Sequence, residues 1–183
     1  MEIINTTFKD LYIINITPHK DLRGQFVKQF NKNIFETYKL NAEFFESFYS
    51  VSQKGVIRGM HFQIPPKEHA KLVYVSNGSI IDVVLDLRQN SKTYKQNFYI
   101  QLDSINLQCL YIPAGFAHGF LSLEDNTKVH YMQTSEYSKE HDCGVKYDSF
   151  GFRWEEIAKK YNIDKFIISN RDLSFSDRIE GYF

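Results

Sequence analysis

Two cysteines and four prolines are all that this 183-residue chain contains of either residue. Cys109 and Cys143 lie in unlike contexts, LQCLYIP and HDCGVKY, without metal-type spacing, which excludes a disulfide scaffold and a cysteine-ligated zinc. With so few prolines, no repeat and no low-complexity tract, nothing reads as a linker, and residues 1–183 are expected to form a single domain. Neither sign of charge is in excess, with 22 Lys plus Arg against 22 Asp plus Glu. That balance argues against nucleic acid or an anionic membrane surface as partner. No apolar run approaches the ~20 residues of a membrane helix, and the start, MEIINTTFKDLYIINITPHK, lacks the basic-then-apolar order of a signal peptide. A soluble, cytoplasmic protein is expected.

Aromatic residues, by contrast, are abundant: 16 Phe and 12 Tyr, which favour half-buried pleated surfaces and the walls of ligand pockets. Short alternating runs recur between turn residues: LYIINI, GQFVKQF, FFESFYSVS, NFYIQL, QCLYIPAG, GFLSLEDN and KVHYMQTSEY. In SIIDVVLDLR the period of two puts Ile81, Val83, Leu85 and Leu87 on one face, read as core, and Ile80, Asp82, Val84, Asp86 and Arg88 on the other. Asn77-Gly78 reads as a tight hairpin joining 71–76 to 79–87. Helical spacing is weak in NKNIFETYKL and clearer in FRWEEIAKKYNI, where Trp154, Ile157, Ala158 and Tyr161 form one stripe. The expected fold is all-β, an antiparallel barrel or jelly roll with a few short peripheral helices.

Several chemically capable residues interrupt these apolar strands. Lys71, in AKLVYV, shares its face with Val73 and Val75, so it either points into the barrel or marks the strand's open end, and a buried ammonium is costly unless paired or used. His61 sits between apolar neighbours in GMHFQ, and Tyr131 in VHYMQ. His118, in IPAGFAHGF, stands beside three small residues that would let a ligand approach closely. Taken singly, each reads as a satisfied core residue; together they suit proton abstraction next to a ketone. A base removes the proton, an ammonium stabilises the enolate, and an acid on the opposite face returns a proton. Two-sided proton transfer inverts a stereocentre.

The stretches DLRGQF (21–26), GVIRGMHFQIPP (55–66), KLVYV (71–75), DVVLDLR (82–88), IPAGFAHGF (112–120) and ISNRD (168–172) resemble the dTDP-4-dehydrorhamnose 3,5-epimerase family. The resemblance implies a cupin-type jelly-roll β-barrel and a cofactor-independent epimerase of a nucleotide-linked 4-keto-6-deoxy sugar, inverting C5, C3 or both in deoxysugar and surface-polysaccharide synthesis. It also implies roles. His61 matches the catalytic base, Asp172 its dyad partner, Lys71 the residue facing the 4-keto oxygen and Tyr131 the acid across the ring. Arg58 and Arg23 match substrate contacts suited to a pyrophosphate, His118 lies beside the sugar, Phe26 matches an aromatic that stacks near the nucleotide, often across a dimer, and Tyr137 and Arg171 join the substrate-binding set. A homodimer is expected, also because LYIINI would present an edge to protect. Strict alternation would point Arg58 and His61 to opposite faces, so a bulge or twist is required between them.

The resemblance breaks in the nucleotide pocket. Lys28 stands at the usual glutamate, and Glu46 and Phe48 replace two amides. Exchanges of this kind disrupt the reading of a base edge, which leaves the base open between thymine, held by compensating contacts, and another. His69, in KEHAKLV, stands where glutamine is commoner and reads as a loop histidine at the cavity rim, with a new contact to sugar or phosphate as the alternative.

Other functions compete. Cupins bind metals through a histidine and carboxylate set. Here His61, Gln63, Glu68 and His118 offer only a weakened version, because Gln63 replaces a strong ligand, and no metal is expected. A metal-dependent sugar isomerase or dioxygenase, a 3,4-ketoisomerase and a non-catalytic sugar-binding jelly roll remain the alternatives.

Overall fold

Period-two burial builds two stacked antiparallel sheets in the computed structural model, which describes residues 1–183. Thirteen strands run in order: β1 (Glu2–Asn5), β2 (Tyr12–Asn15), β3 (His19–Asp21), β4 (Gly24–Phe26), β5 (Glu46–Ser52), β6 (Ile57–Gln63), β7 (Lys71–Asn77), β8 (Ser79–Asp86), β9 (Asn97–Asp103), β10 (Gln108–Ile112), β11 (Phe116–Ser122), β12 (Thr127–Gln133) and β13 (Asp142–Gly144). Helix α1 (Lys32–Thr37) precedes β5, and α2 (Trp154–Lys160) and α3 (Asn170–Leu173) follow β13. One sheet has the order β1-β2-β10-β7-β12-β5, the other β13-β6-β11-β8-β9, and β3 and β4 form a separate hairpin. This is the all-β jelly-roll barrel with short peripheral helices that the alternating pattern leads one to expect.

Three apolar layers follow. Val73, Val75 and Val129 of the first sheet meet Ile80, Val84 and Phe120 of the second between the sheets. Ile81, Val83, Leu85 and Leu87 instead pack on the outer face of the second sheet, under Trp154, Ile157 and Ala158 of α2. Helix α1 buries Phe35 with Ile14 and Leu72 on the outer face of the first sheet.

Four details differ from the sequence reading. Both faces of β8 are buried, so the face carrying Asp82 is the barrel interior and the wholly apolar face lies under α2. Asn77-Gly78 makes no hairpin: β7 pairs with β10 and β12, β8 with β9 and β11, and the dipeptide carries the chain from one sheet to the other. Gly78 is needed at that corner, since its φ is +75° and a Cβ would lie 2.3 Å from Thr127 Oγ1. Strand β2 is covered by β1 and is not an edge; the edges of its sheet are β1 and β5. Finally, the short helix α3 has no clear signal in ISNRD beyond its Ser169 cap, whose hydroxyl accepts from the Asp172 N–H.

Candidate active site

The open end of the barrel holds a cavity of about 260 Å³ bordered by both sheets. His61 and Arg58 reach it from β6, His118 from β11, Lys71 from β7, Tyr131 and Gln133 from β12, and Phe48 and Ser50 from β5. Arg58 and His61 share this wall because β6 carries one residue more than β11 between their partners: His118 pairs with His61, yet Phe120 pairs with Arg58. That is the expected bulge. Gly119 sits opposite it, where a Cβ would lie 2.7 Å from the Arg58 carbonyl. Of the small residues around His118, Gly119 therefore admits the bulged strand, and Ala117 packs in the outer core; neither borders the cavity.

Lys71 points into the barrel, 6% exposed, with Nζ donating to the His61 carbonyl at 3.2 Å. Burial lowers its pKa to about 8, against the attraction of Asp142 and Asp82. With one hydrogen bond made, two ammonium N–H bonds remain for a ligand oxygen.

His61 Nε2 lies 3.0 Å from Asp172 Oδ1, and Gly59 N–H donates to Asp172 Oδ2 at 2.9 Å. Burial pushes the Asp172 carboxyl up, but the His61 hydrogen bond and charge and the Gly59 N–H outweigh it, so the group stays below its ordinary value. An ionised carboxylate only accepts, which puts the imidazole proton on Nε2 and leaves the Nδ1 lone pair free. Phe175 packs edge-on against the His61 ring, with centroids 5.5 Å apart.

Tyr131 faces His61 from the other sheet. Its hydroxyl lies 3.4 Å from Ser50 Oγ, and burial holds the phenol above its ordinary pKa, with the Ser50 contact opposing. Phe48 stacks on its ring at 5.0 Å and 21°, directly across the β5–β12 ladder. His118 Nε2 meets Asp82 Oδ2 at 2.8 Å; burial lowers the imidazole and raises the carboxyl, so both lean to their neutral forms.

At the rim, Arg171 and the Tyr137 hydroxyl both donate to Asp142 Oδ2, and Glu46 accepts from the Tyr137 N–H at 2.9 Å. Arg58 donates to Ser52 Oγ and the Val51 carbonyl. Gln63 is fully committed, donating to the Lys67 and Glu136 carbonyls and accepting from Ser138 N–H. No three His, Cys, Asp or Glu side chains are arranged to hold a metal ion.

Arg23, Phe26 and Lys28 stand apart from the cavity. The first two lie on the β3–β4 hairpin, where Arg23 pairs with Asp21 at 2.6 Å and Phe26 is 60% exposed; Lys28 is exposed just beyond. His69 is no rim histidine: it is buried against the cavity. The sequence reading missed Ser50, Asp142 and Phe175, which carry no local signal, and gave Asp82 no role. Asp82 carries the same signal as Lys71, a charge on an apolar strand, but by alternation it falls on the face opposite Ile81, Val83, Leu85 and Leu87.

Comparison with known proteins gives one consistent result. The family model described as dTDP-4-dehydrorhamnose 3,5-epimerase matches residues 5–178. A dTDP-4-dehydrorhamnose 3,5-epimerase of Methanothermobacter thermautotrophicus is 39% identical over 174 residues, covering 94% of this chain and 91% of that protein. The solved structure of dTDP-4-dehydrorhamnose 3,5-epimerase from Bacillus anthracis with TDP and PPi bound superposes with a TM-score of 0.87 at 35% identity, covering 95% of this chain and 97% of the other. That of dTDP-6-deoxy-D-glucose-3,5-epimerase from Legionella pneumophila, in complex with dTDP-4-keto-L-rhamnose, gives 0.85 at 31% identity, covering 96% and 91%.

Proposed function

The chain belongs to the dTDP-4-dehydrorhamnose 3,5-epimerase family, and on that premise we propose that it inverts C5, C3 or both in a dTDP-linked 4-keto-6-deoxy sugar without a cofactor. One observation carries the assignment of roles: His61 on one sheet and Tyr131 on the other border the same cavity, and Lys71 borders it with them. His61 Nδ1 takes the proton from the carbon next to the ketone while Asp172 holds the Nε2 proton and stabilises the imidazolium. The C–H electron pair moves into the ring and negative charge gathers on the 4-oxygen, where Lys71 donates hydrogen bonds. Tyr131 then delivers its proton from the opposite face, inverting the centre and restoring the ketone; His61 releases the proton it took to solvent, and Tyr131 is reprotonated from solvent.

The thymidine nucleotide is supported by the ligands named for the Bacillus and Legionella structures. Of the exchanged residues, Glu46 accepts from the Tyr137 N–H and Phe48 stacks on the Tyr131 ring, so both have partners within the chain. We take the 183 residues to act as one domain and to work as a homodimer in the cytoplasm. The exposed Tyr49 and Val51 on edge strand β5, and the unsupported β3–β4 hairpin, favour a second copy. No helix is long and apolar enough to cross a membrane, and the balanced charge favours a small nucleotide over nucleic acid as partner.

Deuterium wash-in tests the reading. Protein in D₂O with dTDP-, GDP-, CDP- and UDP-linked 4-keto-6-deoxy sugars is followed by NMR at C3 and C5. Exchange with the dTDP sugar is expected; absence of exchange with every sugar, in protein that binds metal or sugar, would transfer the assignment to a metal cupin or a binding module.

A further inference from the structure

One buried group beside the cavity has no task in the proton transfer. His69 lies in the segment before β7, two residues ahead of Lys71, and borders the cavity with Lys71, Gln133 and Tyr131. It is 8% exposed, and neither ring nitrogen reaches solvent or has a hydrogen-bond partner. Burying an unpartnered polar ring is costly, and such a group calls for an occupant that completes it. Burial pushes its pKa down to about 3; the Lys71 ammonium adds to the shift, and the Lys67 carbonyl opposes it from outside hydrogen-bonding geometry. The ring is therefore neutral at working pH, with one N–H donor and one lone pair.

We propose that His69 is a specificity-determining residue that hydrogen-bonds a hydroxyl group of the sugar carried by the nucleotide. The inference rests on the epimerase reading above. A hydroxyl both donates and accepts, so it suits a neutral imidazole in either tautomer. A phosphate would need a cation, which Arg58 and Arg171 supply at the same cavity. A ketone oxygen only accepts, and the Lys71 ammonium is the stronger donor there.

Titration of wild type, H69L and H69Q with dTDP and with unreactive dTDP-6-deoxyglucose separates the possibilities. H69L should bind dTDP like wild type and the sugar nucleotide about 10-fold more weakly, while H69Q, whose amide also donates and accepts, should recover most of the loss. Equal weakening of both ligands would reveal a merely structural role, and no weakening would remove the contact; either overturns the proposal. Should H69L not fold, 2-deoxy and 3-deoxy analogues of the sugar nucleotide are titrated into wild type, where one must bind about 10-fold more weakly; undiminished binding of both overturns the proposal. Wild-type deuterium exchange keeps the two assignments apart. A wild type that exchanges while H69L holds the sugar undiminished loses only the His69 contact, whereas one that neither exchanges nor binds any sugar nucleotide loses both.

Discussion

The barrel mouth and the β3–β4 hairpin differ in how much support each receives from its own chain. Around the barrel mouth three groups are held from within the chain: the His61–Asp172 dyad at 3.0 Å, the Lys71 ammonium on the His61 carbonyl, and Asp172 fixed from behind by Gly59 N–H. The hairpin has only itself. Arg23 bonds to Asp21 two residues away, and Phe26 lies open to solvent. The difference teaches that the groups proposed for proton transfer are preorganised within one fold, where a misplacement would be expensive. On the proposed reading, the hairpin's nucleotide contacts are completed later, by substrate and by a second copy.

Removing the base should have the largest effect. His61→Asn is expected to lower C–H exchange by about 10²–10⁴-fold with unchanged thermal unfolding, and full activity would end the assignment. Asp172→Asn should fall in the same direction, because an amide no longer fixes the Nε2 proton. Tyr131→Phe should spare first deprotonation more than net inversion, as read by comparing wash-in with product; equal loss of both would argue against opposite-face delivery.

Lys71 sharpens the contrast through pH. Burial lowers its pKa to about 8, so the ammonium is present below that value and is lost as pH rises through it. The rate of exchange should therefore decline above pH ~8, and in Lys71→Gln, about 10²-fold slower, that decline should vanish. A decline that persists in the variant belongs to another group.

The smallest effect tests the hairpin. Arg23→Ala with Phe26→Ala should raise KM about 10-fold, roughly 1.4 kcal/mol of binding, and leave kcat in place. If the hairpin serves the partner's cavity, mixing this variant with His61→Asn should restore wild-type KM in the mixed dimers, since one site then combines an intact base with an intact hairpin. No recovery on mixing, in dimers shown to exchange subunits, would put the hairpin on its own chain's substrate.

Strand periodicity, the α2 stripe, the lysine out of place on an apolar face and the need for a bulge between Arg58 and His61 are all legible locally, because each is a conflict or agreement between residue type and a backbone period. His61, Lys71, His118 and Tyr131 stand out the same way, as polar groups on apolar strands, whereas Asp172 comes only with the motifs that resemble the family. What local pattern did not contain was partnership across the sheets. Asn77-Gly78 looks the same whether its flanking strands pair or part, and only their partners β10, β12, β9 and β11 decide it. The polar face of β8 reads as the outside, since no period reveals that α2 will cover the other face. His69 likewise read as a rim residue, and its isolation depends on the closure of two sheets around it. Sequence by itself determined which side chains share a face, because that follows from backbone geometry one residue at a time; tertiary structure decided which faces meet, because burial is a property of what packs on top.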